Sequence, residues 1–301
     1  MEIKIIDREN IDIIKWNKCI DRANNGLVYS YSWFLDITAR KSWKAIVIGD
    51  YEYIMPFAEN KKYFIKYVYQ AFFTQQLGVF SEKEITFEIV GIFLNELLKK
   101  YKFINTNLNY ACKTNSINLQ IRDNYELDLN YSYDILCRNF NKNAKTYLKK
   151  AEKHNLKFTN DITINNIIQL KRNKENINLN GVNLDLLEQL LITITKNTKF
   201  KIYGIKNQND ELISASFYVF SHNKAYYIFS ESNEEGRAKF ASFFLMDKFI
   251  KDHALQNLIL DFEGSMIPGV ARFFKGWGAK NNPYYNFKQN NLPLFIRFLK
   301  K

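Results

Sequence analysis

LDFEGSMIPGVARFFKGWGA, residues 260–279, is the stretch on which the reading of the fold turns. Its opening LDFE alternates apolar and acidic residues with the period of a strand, Gly264-Ser265 breaks the run, and a proline then starts a short aromatic helix. On such a strand Asp261 and Glu263 point to one face, and Leu260 and Phe262 to the other. The helix places Lys275 between Phe274 and Gly276.

Working outward, the elements before this stretch supply a sheet for it. A helix around 183–196 precedes the strand-like runs FKIYGIK, ELISASFYVF and KAYYIFS, which are separated by Asn/Gln/Asp and Ser-His-Asn-Lys turns. The loop ESNEEGRAK, the helix FASFFLMDKFIKDHA and the strand NLILDFEGS follow. This order predicts an α+β sheet domain.

The first half repeats it coarsely. Residues 11–22 and 29–40 have helical patterning, WKAIVIG and YEYIMPF predict a hairpin around Gly49-Asp50, and FIKYVYQAFFTQQLGVF is aromatic and β-rich. In the helix at 87–101, Phe87, Val90, Phe93, Leu94 and Leu97 share one face. A chain of 301 residues accommodates two such domains. The expected boundaries are 1–124 and 125–301, with residues 284–301 too short for a domain and free to pack back on either half.

Composition narrows the function classes. At 47% hydrophobic and 25% charged the chain is globular, and its net charge of +12 points to a polyanionic partner. The charge is concentrated. Across 138–157, seven cations stand against the single acid Glu152, a net of +6. Leu136, Phe140, Ala144, Tyr147, Leu148 and Ala151 recur on one side at helical period, leaving Arg138, Lys142, Lys145, Lys149 and Lys153 as a basic stripe on the other. Like charges at i, i+4 repel, so a stripe without acids gains from an anionic partner, with Arg138, Lys142, Lys145 and Lys149 as its phosphate-binding candidates.

The three cysteines lack the paired spacing of a zinc site or dithiol, and the three histidines form no catalytic set, so no metal is expected. No signal-peptide pattern or membrane-length apolar run appears, which predicts a cytoplasmic protein without an integral membrane segment. Gln75 and Gln76 sit in the aromatic run from Tyr63 to Phe80, where their amides are candidates for a peptide or sugar; Tyr31 and Trp33 are further pocket candidates.

The second half resembles the GNAT acyltransferase fold, and N233-E-E-G236-R-A238 stands where that family's pyrophosphate-binding loop would lie. The resemblance makes Arg237 and Lys239 substrate-binding candidates. Two departures weigh against a plain acetyl-CoA enzyme: Glu234 and Glu235 occupy the anion's position, and Phe274 stands where many GNAT enzymes carry a proton-donating Tyr. SYSWFLD, YVYQAFFTQQLGVF, NKNAKTYLKKAEKHNL and GVARFFKGWGA together resemble the FemAB-type aminoacyltransferases, which are built of two GNAT-like domains.

That resemblance implies two mixed, mostly antiparallel sheets flanked by helices, and transfer of an acyl group from aminoacyl-tRNA or acyl-CoA to an acceptor amine in cell-wall or glycan precursor synthesis. It matches Phe274-Lys275 to the family's Phe-Lys pair near the aminoacyl ester, so Lys275 would stabilise the oxyanion, Phe274 would line the site and Glu263 would orient or deprotonate the amine. It requires no tightly bound cofactor. The expected partners are tRNA and a phosphorylated, peptide or amino-sugar acceptor. The alternative reading is a non-catalytic nucleic-acid or phosphate-ligand binding module built on the basic stripe.

Overall fold

In a computed structural model, residues 2–113, 119–172, 184–264 and 266–297 are described. The chain divides into one unit of residues 1–122 with 283–301 and a second of 123–282.

The first unit is built on a seven-stranded sheet. Its strands are β1 (Ile3–Asp7), β2 (Trp43–Ile48), β3 (Tyr53–Lys62), β4 (Ile65–Tyr69), β5 (Phe103–Leu108), β6 (Leu119–Arg122) and, from the C-terminal end, β14 (Tyr284–Asn290). The spatial order is β1-β2-β3-β4-β5-β14-β6, antiparallel throughout except for the β4–β5 pair. Helix α1 (Ile13–Arg22) starts where the Asp12 carboxylate accepts the Ile14 and Lys15 N–H groups, and it buries Trp16 and Ile20. Helix α2 (Ser32–Thr38) buries Phe34 and Leu35. In α3 (Phe87–Lys100), capped by Thr86, the face Val90, Phe93, Leu94, Leu97 is buried against the sheet; Phe87, expected on that face, lies in the first turn and is 49% exposed.

The second unit carries another seven-stranded sheet, with β7 (Tyr125–Asp128), β8 (Lys157–Thr159), β9 (Phe200–Lys206), β10 (Leu212–Ser221), β11 (Lys224–Ser232), β12 (Ile259–Asp261) and β13 (Lys280–Asn281) in the order β13-β7-β12-β11-β10-β9-β8. Only β11–β12 is parallel. Both sheets are thus mixed, mostly antiparallel and helix-flanked, as the sequence predicts.

One face of the second sheet is covered by α4 (Tyr133–Arg138), α5 (Lys142–Glu152), α9 (Ala241–His253) and α10 (Pro268–Gly276), whose apolar sides close a single core around Tyr218, Phe249, Phe274 and Trp277. Helix α6 (Ile164–Arg172) packs on β10 and β11, where Lys171 pairs with the buried Glu231 at 2.6 Å. Helices α7 (Leu184–Asn197) and α8 (Glu234–Ala238) complete the unit among the described residues.

The basic segment departs from the single helix expected. It is two helices with a break at 139–141, because the Asn141 side chain accepts the Ala144 N–H (2.8 Å) and starts α5 afresh, while the Asn141 N–H is given to the Gly276 carbonyl (2.9 Å). The apolar side still faces the core, with Leu136, Phe140, Ala144, Leu148 and Ala151 buried.

Candidate functional site

Strands β11 and β12 run together for three residue pairs, the last being Tyr226 with Asp261. Beyond it β11 continues to Ser232 against β10 alone, and a bulge between Phe217 and Val219 adds twist to that pair. The wedge left beside β11 is filled by rings: Phe262 lies 4.9 Å from Phe274, and Tyr227 lies 6.2 Å and 6.3 Å from those two. Phe274 therefore belongs to the floor of the wedge, 5% exposed.

The acidic strand end is more tightly specified than alternation implied. The ladder stops at Asp261, which is fully buried, and Glu263 lies beyond it in the left-handed region (φ +60°), so the two do not simply share a strand face. Asp261 Oδ1 accepts the Glu263 N–H at 2.9 Å. Gly264 continues the turn (φ +58°), where a Cβ would stand 2.1 Å from the Asp123 carbonyl oxygen. The backbone at the half-buried Glu263 is thereby fixed by a buried carboxylate and a close backbone crossing.

Asp261 has charged company. Lys224 Nζ sits 3.4 Å from Asp261 Oδ2 and also bonds Glu126, whose other oxygen accepts from Asn282 Nδ2 at 2.9 Å. Burial, opposed by Lys224 and assisted by Glu126, pushes Asp261 up to about 6.

One step along α10, Lys275 is exposed, and its ammonium lies 5.2 Å from the centre of the buried Tyr125 ring. Lys275 lines an open crevice of about 410 Å³ with Arg272, Phe273, Asn143, Tyr147 and Phe243. The crevice runs between α10 and the start of α5, and its aromatic side is a contact chain in which Phe243 meets Tyr147 at 5.0 Å and Phe273 at 4.9 Å. Lys142, beside Asn141 and Asn143, is exposed at this end of α5, as is Lys149 further along. Lys145 is half-buried and donates to the Arg138 carbonyl at 3.1 Å.

The remaining candidates sit elsewhere. Arg237 donates to the Ser232 carbonyl and Lys239 pairs with Glu235, so both brace the loop around α8. Glu235 also accepts from Asn207 at 2.9 Å. In the first unit Gln76 is buried, accepting the Tyr110 N–H at 3.2 Å and donating to Gln75 at 2.9 Å. Tyr31 and Trp33 stack at 5.6 Å, and the Tyr31 hydroxyl donates to Asp21.

A scan against protein-family models finds no match, and a search of the curated proteins finds none. Solved structures do match over the full length. FemX covers 100% of both chains with a TM-score of 0.64 at 13% identity. A tandem GNAT protein from the clavulanic acid biosynthesis pathway covers 97% of this chain and 99% of its own at 0.55 and 8%. The C-terminal domain of a putative lysylphosphatidylglycerol synthetase from Agrobacterium fabrum covers 96% and 94% at 0.57 and 7%.

The fold is FemAB-like. At such identities the likeness is one of architecture, two GNAT-type domains in tandem. Within this FemAB-like frame, sequence reading missed Lys224, Glu126 and Tyr227. The first two are brought to Asp261 by ladder register across three strands that are distant in sequence. Tyr227 carries beside Phe274 the phenol that Phe274 lacks, and burial pushes that phenol up to about 12.

Proposed function

We propose that the protein is a FemAB-like acyl- or aminoacyl-transferase, in which an acceptor amine attacks the carbonyl carbon of a donor ester or thioester directly. The C–N bond forms first to give a tetrahedral intermediate, whose collapse re-forms the carbonyl and breaks the C–O or C–S bond, and the departing oxygen or sulfur takes a proton. Lys275 donates a hydrogen bond to the oxyanion of the tetrahedral intermediate, and Glu263 receives the proton the amine must lose. The observation that carries this reading is Lys275, exposed on the wall of a crevice with its ammonium over the Tyr125 ring, on the same helix whose Phe274 floors the wedge where β11 leaves β12.

The donor is aminoacyl-tRNA or acyl-CoA, whose phosphates meet Lys142 and the exposed cations of α4 and α5, Arg138 and Lys149 among them. The acceptor is an amine on a peptide, amino sugar or phosphorylated precursor of the cell wall or of a glycan. Phe274 shapes the site, Arg237 and Lys239 order the loop around α8 for substrate, and Gln75, Gln76, Tyr31 and Trp33 are the first unit's own substrate-binding candidates. Lys275→Ala should lower transfer at least tenfold with an unchanged melting temperature, since losing one oxyanion donor ordinarily costs about 10²–10³. Undiminished turnover in that variant rejects the assignment.

A further inference from the structure

The turn joining β3 to β4 uses the wrong residues for its geometry. Lys62 pairs with Ile65, leaving Tyr63 and Phe64 as a two-residue hairpin turn, and both have positive φ, +48° and +65°. Two-residue turns of this hand favour Asn-Gly, since a bulky side chain is strained there. Here the strained positions carry two aromatic rings, and those rings gain nothing from the core: Tyr63 is 70% exposed and Phe64 92%.

The turn also stands clear of its sheet. The β2 ladder on β3 ends at Ala58, and β4 meets β5 at Val68, so residues 60–66 form a two-stranded finger paired only with itself. Lys61, Lys62 and Lys66 surround the tip. Lys61 lies 5.4 Å from the Phe64 ring centre and Lys62 5.3 Å from that of Tyr63. Glu59, the acid nearest to the turn in sequence, is occupied by Lys44, Lys66 and the Tyr101 hydroxyl.

We infer that this finger docks the protein on an anionic membrane surface, Phe64 and Tyr63 entering the bilayer interface and Lys61 and Lys62 meeting lipid phosphates. The dimensions agree. Lys61 and Lys66 face each other two residue steps behind the tip, about 6–7 Å, and an interfacial apolar element sinks roughly 5–10 Å to the headgroup boundary. Tyr63, a ring with one polar end, suits that boundary, the apolar Phe64 ring lies just inside it, and lysines beside them are drawn to anionic lipid. A nucleic-acid binder would present its aromatics as a platform in a groove, whereas this tip is convex. The inference goes beyond the transferase reading and stands independently of Lys275.

The test is co-sedimentation of the full chain with vesicles of equal parts phosphatidylglycerol and phosphatidylcholine, against phosphatidylcholine alone and against single-stranded RNA. The protein should bind the anionic vesicles, and Tyr63→Asn with Phe64→Gly should weaken that binding by about tenfold or more while folding at least as well, because the pair suits the turn. Tyr63→Trp with Phe64→Trp should keep binding, with a blue shift of emission on vesicle addition. The proposal is overturned if the Asn-Gly variant binds as the parent does, if neither protein binds anionic vesicles, if the Trp pair shows no shift, or if the finger's aromatics are needed for RNA and not for lipid.

Discussion

Asp261→Asn should change the pH dependence of stability in a defined window. The carboxyl of Asp261 is pushed up to about 6 in the folded chain from an ordinary value of 3.8. The native state therefore holds a proton that the unfolded state has released between those pH values, so this group's contribution to stability is full below 3.8 and is lost as pH rises through 6. A displacement of about two pH units corresponds to about 3 kcal/mol.

Asparagine matches the protonated acid in shape, keeps an oxygen for the Glu263 N–H, and does not titrate. The stability of the variant relative to the parent should then climb by about 3 kcal/mol across the window, most of it between pH 4 and 6. Any fixed cost of an amide nitrogen facing Lys224 shifts the whole profile and leaves its slope alone. Because other carboxylates, such as Asp252, are lowered and act in the opposite sense, only the difference between the two proteins isolates Asp261. Urea unfolding at several pH values, followed by the emission of Trp277, measures it in the second unit, where Trp277 is the one tryptophan and is fully buried. A flat difference profile would refute the argument.

Other perturbations have equally definite outcomes. Lys224→Met leaves Glu126 and Asp261 without their cation and should cost about 3–5 kcal/mol at neutral pH, read by the same unfolding assay. Gly236→Ala places a Cβ 2.2 Å from the Ile213 carbonyl oxygen, and the backbone shift required should cost about 1–3 kcal/mol in thermal unfolding. Asp36→Ala removes the acceptor shared by the Arg8 fork and the Trp43 indole N–H, for a loss of about 2–3 kcal/mol in the first unit. The Asn-Gly replacement at 63–64 should stabilise the hairpin by about 1–2 kcal/mol in the absence of lipid.

Local periodicity in the chain encodes the individual elements. The apolar run AYYIF between turn residues in KAYYIFS, the spacing of Val90, Phe93, Leu94 and Leu97, and the proline opening α10 each specify an element through neighbours a few residues away, and the order of those elements is enough for two helix-flanked sheets. The break at Asn141 was within reach of the same logic, since asparagine before a helical run is a capping signal, yet the apolar face running through it concealed the interruption.

Tertiary structure decided everything that depends on register between distant strands. The meeting of Glu126, Lys224 and Asp261 requires β7, β11 and β12 to lie side by side, and nothing near any one of them in sequence announces the others. The same holds for β14, which pairs with β5 and β6 across more than half the chain. Glu263 shows the limit most directly: its place in the sequence continues an alternating strand, but the buried carboxylate two residues earlier and the Asp123 carbonyl against Gly264 bend the backbone into a turn, and that bend is a property of the packed molecule.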